Sequence, residues 1–278
     1  MKKRRHIFLK TVLLLIVVIG LLIADSALRV VTTEYELSYG ELPAEFDGFR
    51  IVQLSDLHGA EFGQGNARLL KKVAQAEPDV IALTGDLADE NTDMAVVDAL
   101  LVGLTQLAPV YYVSGNHEWS AHLTEAMETL LEAHGVIYLR NEYVSISRGG
   151  AEIVLAGVED PNGRADQPKP DAVIAGLREA HPEAFTVLLG HRNDWTEKYP
   201  RLPVELVLCG HAHGGVIRIP GVGGVLGTGR TLFPGHTAGV FSGETYRMLV
   251  SRGLAGSTAG IPRFCNNPEL VAVTLITE

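Results

Sequence analysis

Short apolar runs that each end in a glycine-marked polar turn recur along residues 49–209, and this repetition constrains the fold more than any other feature. Amphipathic stretches follow several of the runs. One of them is the segment 66–77, in which Leu69, Leu70 and Val73 fall on one helical face. Repeated strand–loop–helix units predict an α/β protein whose helices pack against its β-sheets.

The segments outside the repeating part predict further strands. Residues 30–39 carry β-branched and aromatic side chains in rough alternation, which is typical of a strand. Segments 246–254 and 269–278 predict closing strands. Segment 220–230 is too rich in glycine for a helix and is predicted to be an irregular loop. Because no repeat or long linker interrupts the chain, residues 31–278 are expected to form one domain.

Residues 1–30 are predicted to be a signal-anchor or transmembrane segment. A basic start precedes a continuous apolar run from Val12 to Ala24. Counting from Ile7 gives the ~18 residues that mark a membrane-spanning helix. Basic flanks stay in the cytoplasm, so we expect a single-pass protein of the cell membrane with residues 31–278 outside the cytoplasm.

Two alternatives to an uncleaved anchor follow from the same residues. Small side chains at Ala24 and Ser26 have the spacing of a signal-peptide cleavage site, and cleavage there would give a secreted protein. The pair Arg4 and Arg5, followed by an apolar run, resembles a twin-arginine export signal with one residue too many. The length of the apolar run favours the anchor.

Charge and cysteine content exclude several classes of protein. The formal net charge is -10, and an acidic surface repels phosphate backbones, so nucleic-acid binding is not expected. No protein partner is predicted either. Cys209 and Cys265 are too few for a disulfide framework, and we expect two free thiols.

Side chains that can bind metals follow every apolar run of the repeating part. In open α/β sheets, sites form at the carboxyl ends of strands, so these residues are predicted to meet in one cleft although they are far apart in sequence. They are Asp56, His58, Asp86, Asn116, His117, His191, His211 and His213.

The chemistry of this set is more specific than any of its parts. Carboxylate, amide and imidazole donors suit manganese, iron or zinc better than magnesium or calcium. Asp86 can bridge two ions, and two ions about 3.5–4 Å apart form a clamp for displacement at phosphorus. Each motif alone has a simpler reading, because an Asp-x-His or Gly-Asp sequence usually marks only a turn.

Five sequence blocks resemble one family. The blocks DLH, GD, GNHE, GH and GHAH, in this order over residues 50–213, resemble the calcineurin-like metallophosphoesterase superfamily. The stretches SRGLAGSTAGIPRF and NPELVAVTL resemble its membrane-associated bacterial branch, which includes cell-wall-associated phosphoesterases and a UDP-diacylglucosamine pyrophosphatase. The resemblance implies a four-layer αββα sandwich with two mixed β-sheets.

The resemblance also implies roles for individual residues. One metal would take Asp56, His58, Asp86 and His213. The other would take Asp86, Asn116, His191 and His211. A hydroxide held between the metals would attack phosphorus, and His117 would stabilise the transition state or protonate the leaving oxygen. Asn193 departs from the family pattern, because relatives often carry proline at this position.

The expected function is therefore metal-dependent hydrolysis of a phosphodiester or pyrophosphate in a lipid-linked or cell-envelope substrate. Two divalent ions are expected as cofactors, with manganese favoured over iron or zinc. The alternatives are a non-catalytic metal-binding scaffold and a phosphoprotein phosphatase. Residues 221–245, called the glycine-rich loop below, carry apolar side chains that suit either a lipid-facing flap or an ordinary surface loop.

Overall fold

The structure, a computed structural model, describes residues 2–258 and 260–278. Met1, part of the predicted leader, and Ala259, part of the C-terminal family motif, lie outside the described residues. The first helix, α1 (Lys2–Leu28), covers the predicted leader. Its stretch Arg4–Leu28 is long and apolar enough to cross a membrane, and none of its apolar 18-residue window is buried against the rest of the described residues.

The first β-sheet has six strands in the order β1-β16-β2-β3-β4-β5. Their bounds are β1 (Val31–Tyr39), β2 (Phe49–Leu54), β3 (Val80–Thr84), β4 (Val110–Val113), β5 (Ile137–Tyr138) and β16 (Glu269–Thr277). Strands β2 to β5 run parallel, β16 is antiparallel to β2, and β1 is parallel to β16. The first and last strands of the chain are therefore neighbours, and the sheet is mixed.

The second β-sheet also has six strands, in the order β12-β13-β9-β8-β7-β6. Their bounds are β6 (Glu142–Arg148), β7 (Ala151–Gly157), β8 (Thr186–Leu189), β9 (Leu206–Cys209), β12 (Gly239–Ser242) and β13 (Arg247–Val250). The four central strands are parallel, and the strand at each edge is antiparallel to its neighbour.

Two short hairpins complete the strands of the described residues. They pair β10 (Ile217–Ile219) with β11 (Gly223–Leu226), and β14 (Ser257–Thr258) with β15 (Ile261–Pro262). The prediction of an irregular loop over 220–230 is therefore wrong for its central part. Gly221, in the turn, and Gly223, the first residue of β11, have φ values of 79° and 101°, so these glycines allow the hairpin and do not prevent a strand.

Helices cover the outer face of each sheet. Their bounds are α2 (Ala67–Gln75), α3 (Met94–Thr105), α4 (Asn116–Ser120), α5 (Thr124–Ala133), α6 (Pro170–Ala180) and α7 (Trp195–Lys198). One apolar cluster lies between the first sheet and α2, α3 and α5, and another lies between the second sheet and α6 and α7. A third cluster, which includes Ile51, Ala82 and Leu208, fills the space between the sheets. This layering confirms the predicted αββα sandwich.

The carboxyl ends of the central strands of both sheets meet at one edge of the sandwich. The buried side chain of Gln53, on β2, shows this directly. Its Nε2 donates to Thr84 Oγ1 at the end of β3 (2.9 Å) and to the carbonyl of Cys209 at the end of β9 (2.9 Å). Loops that leave these strands therefore share one space, where a site can form.

Candidate metal centre

All eight side chains singled out from the sequence lie in loops or first helical turns directly after strands. Asp56 and His58 follow β2, Asp86 follows β3, Asn116 and His117 begin α4 after β4, His191 follows β8, and His211 and His213 follow β9. Three strands of the first sheet and two strands of the second therefore supply the site.

The backbone turns sharply at these positions. Five of the residues have positive φ, which is uncommon outside glycine: Asp56 (51°), His58 (47°), Asp86 (53°), His211 (67°) and His213 (48°). Backbone conformations of this kind persist only where the surrounding structure holds them in place, and they cluster at functional sites. Here the turn brings each side chain to the shared edge as soon as its strand ends.

The first group of possible ligands is Asp56, His58, Asp86 and His213. One donor atom from each of them lies within 4.8 Å of the others. His213 Nε2 is 3.3 Å from Asp56 Oδ1, and His58 Nε2 is 3.7 Å from Asp86 Oδ2. The side chains of all four are at most 13% exposed, so the space between their donor atoms is shielded from solvent.

The second group of possible ligands is Asp86, His191 and His211, again with donor atoms within 4.8 Å of one another. His191 Nε2 lies 3.0 Å from Asp86 Oδ2 and 3.2 Å from His211 Nδ1. Because Asp86 belongs to both groups, its carboxylate stands where a bridging ligand between two ions would be required. The site is of the dimetal type.

Unpartnered buried atoms support a cation at this place. The Nε2 of His58 and the Oδ1 of Asn116 are buried and make no hydrogen bond with any described residue. Buried polar atoms of this kind cost free energy unless another partner satisfies them. Both atoms can donate an electron pair to manganese, iron or zinc. The residues present therefore fit the two-ion centre that the family resemblance implies.

Charges inside the site attract each other strongly. Burial by itself lowers the pKa of His191, but the adjacent Asp86 carboxylate more than offsets this and raises the pKa to about 10. For Asp86, burial favours the neutral acid, yet His191 and His58 hold its pKa below the ordinary value. Asp86 is therefore a carboxylate at neutral pH, which is the form that binds a cation.

The two histidines after β9 are held neutral. Burial, reinforced by the nearby His191 and the guanidinium of Arg192, lowers the pKa of His211 to about 3. Burial also places the pKa of His213 well below the ordinary value, with Arg263 contributing in the same direction. A neutral imidazole has a free electron pair, so both side chains are in the form that ligates metals.

Glu118 is a structural partner of the site that the sequence reasoning missed. Its buried carboxylate accepts hydrogen bonds from the backbone N–H groups of Asp86, Leu87, Ala88 and Gly115, at 2.6 to 3.2 Å. It therefore fastens the loop after β3 to the loop after β4. The only signal in the sequence was its place in the block GNHE.

Other outer partners orient individual imidazoles. Asp89 Oδ2 is 3.2 Å from His58 Nδ1, and the carbonyl of Thr84 is 2.9 Å from His191 Nδ1. Because each contact uses the nitrogen that faces away from the site, it leaves Nε2 directed towards the possible metal position, an arrangement typical of metal-bound histidine. None of these partners was identified from the sequence.

Glycines allow the loops to approach each other closely. A β-carbon at Gly115 would overlap the carboxylate of Asp86, and one at Gly210 would overlap Ser55 and the carboxylate of Asp56. Gly115 follows β4 and Gly210 follows β9, and each lies against a carboxylate from the loop after another strand. A larger residue at either position would separate the ligand loops.

His117 belongs to neither group of possible ligands, although it lies beside them, and it faces a cavity. Its backbone N–H donates to Asp86 Oδ1 (2.8 Å), and its ring centroid is 4.7 Å from that of His58. Together with His58 and His213 it lines a cavity of about 660 Å³. The half-buried side chain is thus placed beside the possible metal positions, on the side from which a substrate can enter.

Comparison with known proteins identifies the family. A profile of the calcineurin-like phosphoesterase family matches residues 49–215, which is more than half of the chain and contains all eight site residues. The chain belongs to this family. It is accordingly a metal-dependent phosphoric ester hydrolase, and the family resemblance inferred from the five sequence blocks is confirmed.

Similar proteins include bacterial and vertebrate members. The metallophosphoesterase YkuE of Bacillus subtilis is 29% identical over 252 residues, which cover 88% of this chain and 85% of that protein. The phosphodiesterase YaeI of Escherichia coli is 29% identical, with 63% and 64% covered. A transmembrane protein with a metallophosphoesterase domain from Bos taurus is 32% identical, with 72% of this chain and 48% of that protein covered.

A solved structure supports the fold. The NAD nucleotidase NadN of Haemophilus influenzae superimposes with a TM-score of 0.51 at 15% sequence identity, covering 74% of this chain and 50% of that one. At this level of identity the likeness concerns the fold alone.

Proposed function

We propose that this protein hydrolyses a phosphodiester or pyrophosphate bond in a substrate that belongs to the cell envelope or is linked to a lipid. The observation that carries the proposal is the convergence of two ligand groups on one shared carboxylate, that of Asp86, beside the half-buried His117. A site that only stores or senses a metal has no need of an imidazole that faces a cavity next to the ions.

The proposed ligands are those expected from the sequence. One ion is held by Asp56, His58, Asp86 and His213. The other is held by Asp86, Asn116, His191 and His211. The mixed oxygen and nitrogen donors support manganese, with iron or zinc as alternatives. The unpartnered Oδ1 of Asn116 supports its place in the second set, because this atom is buried and has the free electron pairs of a ligand.

When bound, the two ions supply positive charge that stabilises the negative charge developing on the phosphate oxygens. The chain itself supplies position and protons. Asp86 holds the backbone N–H of His117 at 2.8 Å, which fixes the start of α4 relative to both ligand groups. From there the His117 side chain donates a hydrogen bond to the phosphate or a proton to the leaving oxygen, the role of a general acid.

The N-terminal helix supports a membrane-linked substrate. We propose that residues 1–30 anchor the protein in the cell membrane and that residues 31–278 form one catalytic domain outside the cytoplasm. Large apolar side chains of α1, such as Leu13, Leu14 and Ile16, are at least 61% exposed, and the apolar window of this helix is not buried against the other described residues. Because lipid-linked nucleotide precursors are usually cytoplasmic, the outward orientation favours cell-wall phosphodiesters and other envelope lipids.

A substrate panel tests the proposal. The full-length protein, in detergent with manganese added, would be given bis(p-nitrophenyl) phosphate, p-nitrophenyl phosphate, a phosphopeptide and a lipid-linked pyrophosphate. We expect hydrolysis of the diester and the pyrophosphate, and its loss with a chelator. Turnover of the phosphopeptide alone would favour a protein phosphatase. No turnover of any substrate by protein with both ions bound would favour a scaffold.

A further inference from the structure

The last turn of α1 is attached to the catalytic body, unlike the rest of that helix. Ser26 is only 1% exposed, and its Oγ accepts a hydrogen bond from the backbone N–H of Asn266 (3.3 Å). Asn267 Nδ2 donates to the carbonyl of Asp25 (2.8 Å) and to Asp25 Oδ2 (3.0 Å). Arg29 pairs with the same carboxylate. The end of the helix is thus held by a polar clamp.

This turn forms part of the wall of the cavity beside the candidate metal centre. Ala27 lines the cavity of about 660 Å³ that is also lined by His58, His117 and His213. Gly256 supports Ala27 closely, since a β-carbon added there would lie 3.3 Å from the carbonyl oxygen of Ala27. A residue of the predicted anchor therefore faces the same space as the proposed catalytic histidine.

Asn266 connects the clamp to a ligand loop. Its backbone N–H binds Ser26, while its side-chain Nδ2 donates to the carbonyls of His213 (2.8 Å) and Val216 (3.1 Å). A single buried residue thus contacts both the end of α1 and the loop that carries His213. The position of the helix end and the position of this loop are joined through direct hydrogen bonds.

We propose that the last turn of α1 remains on the working protein as a wall of the active-site cleft, and that Ala27 limits the size of the substrate group held there. This inference rests on the proposed function and deepens it, because it assigns a specificity-determining residue to that site. The group in question is the part of the phosphodiester or pyrophosphate substrate that lies nearest the membrane surface. Cleavage after Ser26 would remove both clamped residues, Asp25 and Ser26, from the body.

Enlarging residue 27 tests the wall. The variants Ala27→Leu and Ala27→Trp would be compared with Leu28→Trp, a matched control because Leu28 is the next residue, is 60% exposed and does not line the cavity. We expect KM for bis(p-nitrophenyl) phosphate to rise from Leu to Trp at position 27, reaching about tenfold. Leu28→Trp should retain the wild-type KM. Bound metal and melting temperature should be equal in all four proteins.

The outcomes separate this inference from the proposed function. If the unmodified protein hydrolyses the diester and the position-27 variants have the same KM as Leu28→Trp, Ala27 does not limit the substrate group. The proposed activity is unaffected by that result. If the unmodified protein binds metal but hydrolyses nothing, the proposed function fails instead. The intact mass of protein extracted from membranes gives a readout independent of activity. We expect the leader to be present, and a mature N-terminus at Ala27 would overturn the inference.

Should Ala27→Trp unfold, Ala27→Leu, which adds a smaller group, keeps the test decisive. A rise in KM with unchanged melting temperature supports the wall. An unchanged KM in a folded Ala27→Leu protein contradicts it.

Discussion

The loops after the central strands and the glycine-rich loop border the same region but differ in how they are built. In the strand-end loops, side chains such as Asp56 and Asp86 are at most 1% exposed and are held by contacts from several strands. In the glycine-rich loop, Leu232 and Phe233 are 71% and 67% exposed. The first region holds the side chains of the proposed metal centre in place, whereas the second leaves apolar surface without a partner in the described residues.

One residue joins the two regions. Asn193, which stands where relatives often carry proline, donates from Nδ2 to the carbonyl of His236 in the glycine-rich loop (3.0 Å). Proline has no side-chain donor and cannot make this contact. Asn193, which departs from the family pattern, thus lies where the strand-end loops contact the glycine-rich loop. Surface loops of this kind often vary with the substrate.

The largest effect is expected from the carboxylate shared by both ligand groups. Asp86→Ala removes a ligand of each proposed ion, so it should cost more than the ~10–100-fold in metal affinity that loss of an outer partner costs. Metal content by elemental analysis and hydrolysis of a diester would both fall. The exposed Asp166→Ala is the control. Full retention of two ions by Asp86→Ala would contradict the shared-ligand assignment.

The next effect separates catalysis from metal binding within the strand-end loops. His117→Ala should lower kcat by ~10²–10⁴-fold, the usual contribution of a positioned acid, and leave bound metal unchanged. His122→Ala, an exposed histidine a few residues later, should leave kcat unchanged. Loss of metal together with activity in His117→Ala would show that His117 supports the ions and has no separate catalytic role.

A smaller effect is expected from the partner of His58. Asp89→Asn weakens the contact that orients the imidazole, so metal affinity should fall by ~10–100-fold. The chain offers a control, because Asp98 also pairs with an imidazole, that of His134, through Nε2 at 2.7 Å and outside the site. Calorimetric titration with Mn²⁺ would compare Asp89→Asn with Asp98→Asn. Equal affinities would mean that Asp89 does not orient His58.

The smallest effect is expected from the glycine-rich loop, and it tests the other side of the comparison. Replacing Leu232 and Phe233 by serine should leave hydrolysis of a soluble diester unchanged. Both side chains are exposed, and neither belongs to the two groups of possible metal ligands. Hydrolysis of a lipid-linked substrate in vesicles should fall several-fold, since exposed apolar area is removed. Leu107→Ser, at an exposed position after α3, is the control. Equal rates on vesicles would mark the loop as ordinary surface.

Local sequence patterns predicted an α/β protein with polar side chains at the strand ends, whereas the four αββα layers were expected from the family resemblance. Period-2 and period-3.6 patterns depend on local sequence, and the carboxyl ends of parallel strands meet by topology, so the convergence of Asp56 with His213 could be expected. The hydrogen bonds that Glu118 accepts and those that Asn266 donates could not be expected. Each joins segments 30 or more residues apart through close backbone approach, and periodicity carries no information about such contacts.

The neighbouring positions of β1 and β16 have a consequence for biosynthesis. Strand β16 (Glu269–Thr277) lies between β1 and β2, so the side of β2 that faces β16 stays unpaired until residues 269–277 leave the ribosome. Pairing of such distant segments is slow, and an unpaired edge invites contact with other chains during that interval. The first sheet can therefore close only after β16 has emerged from the ribosome, and a chain that ended before residue 269 would leave this side of β2 unpaired.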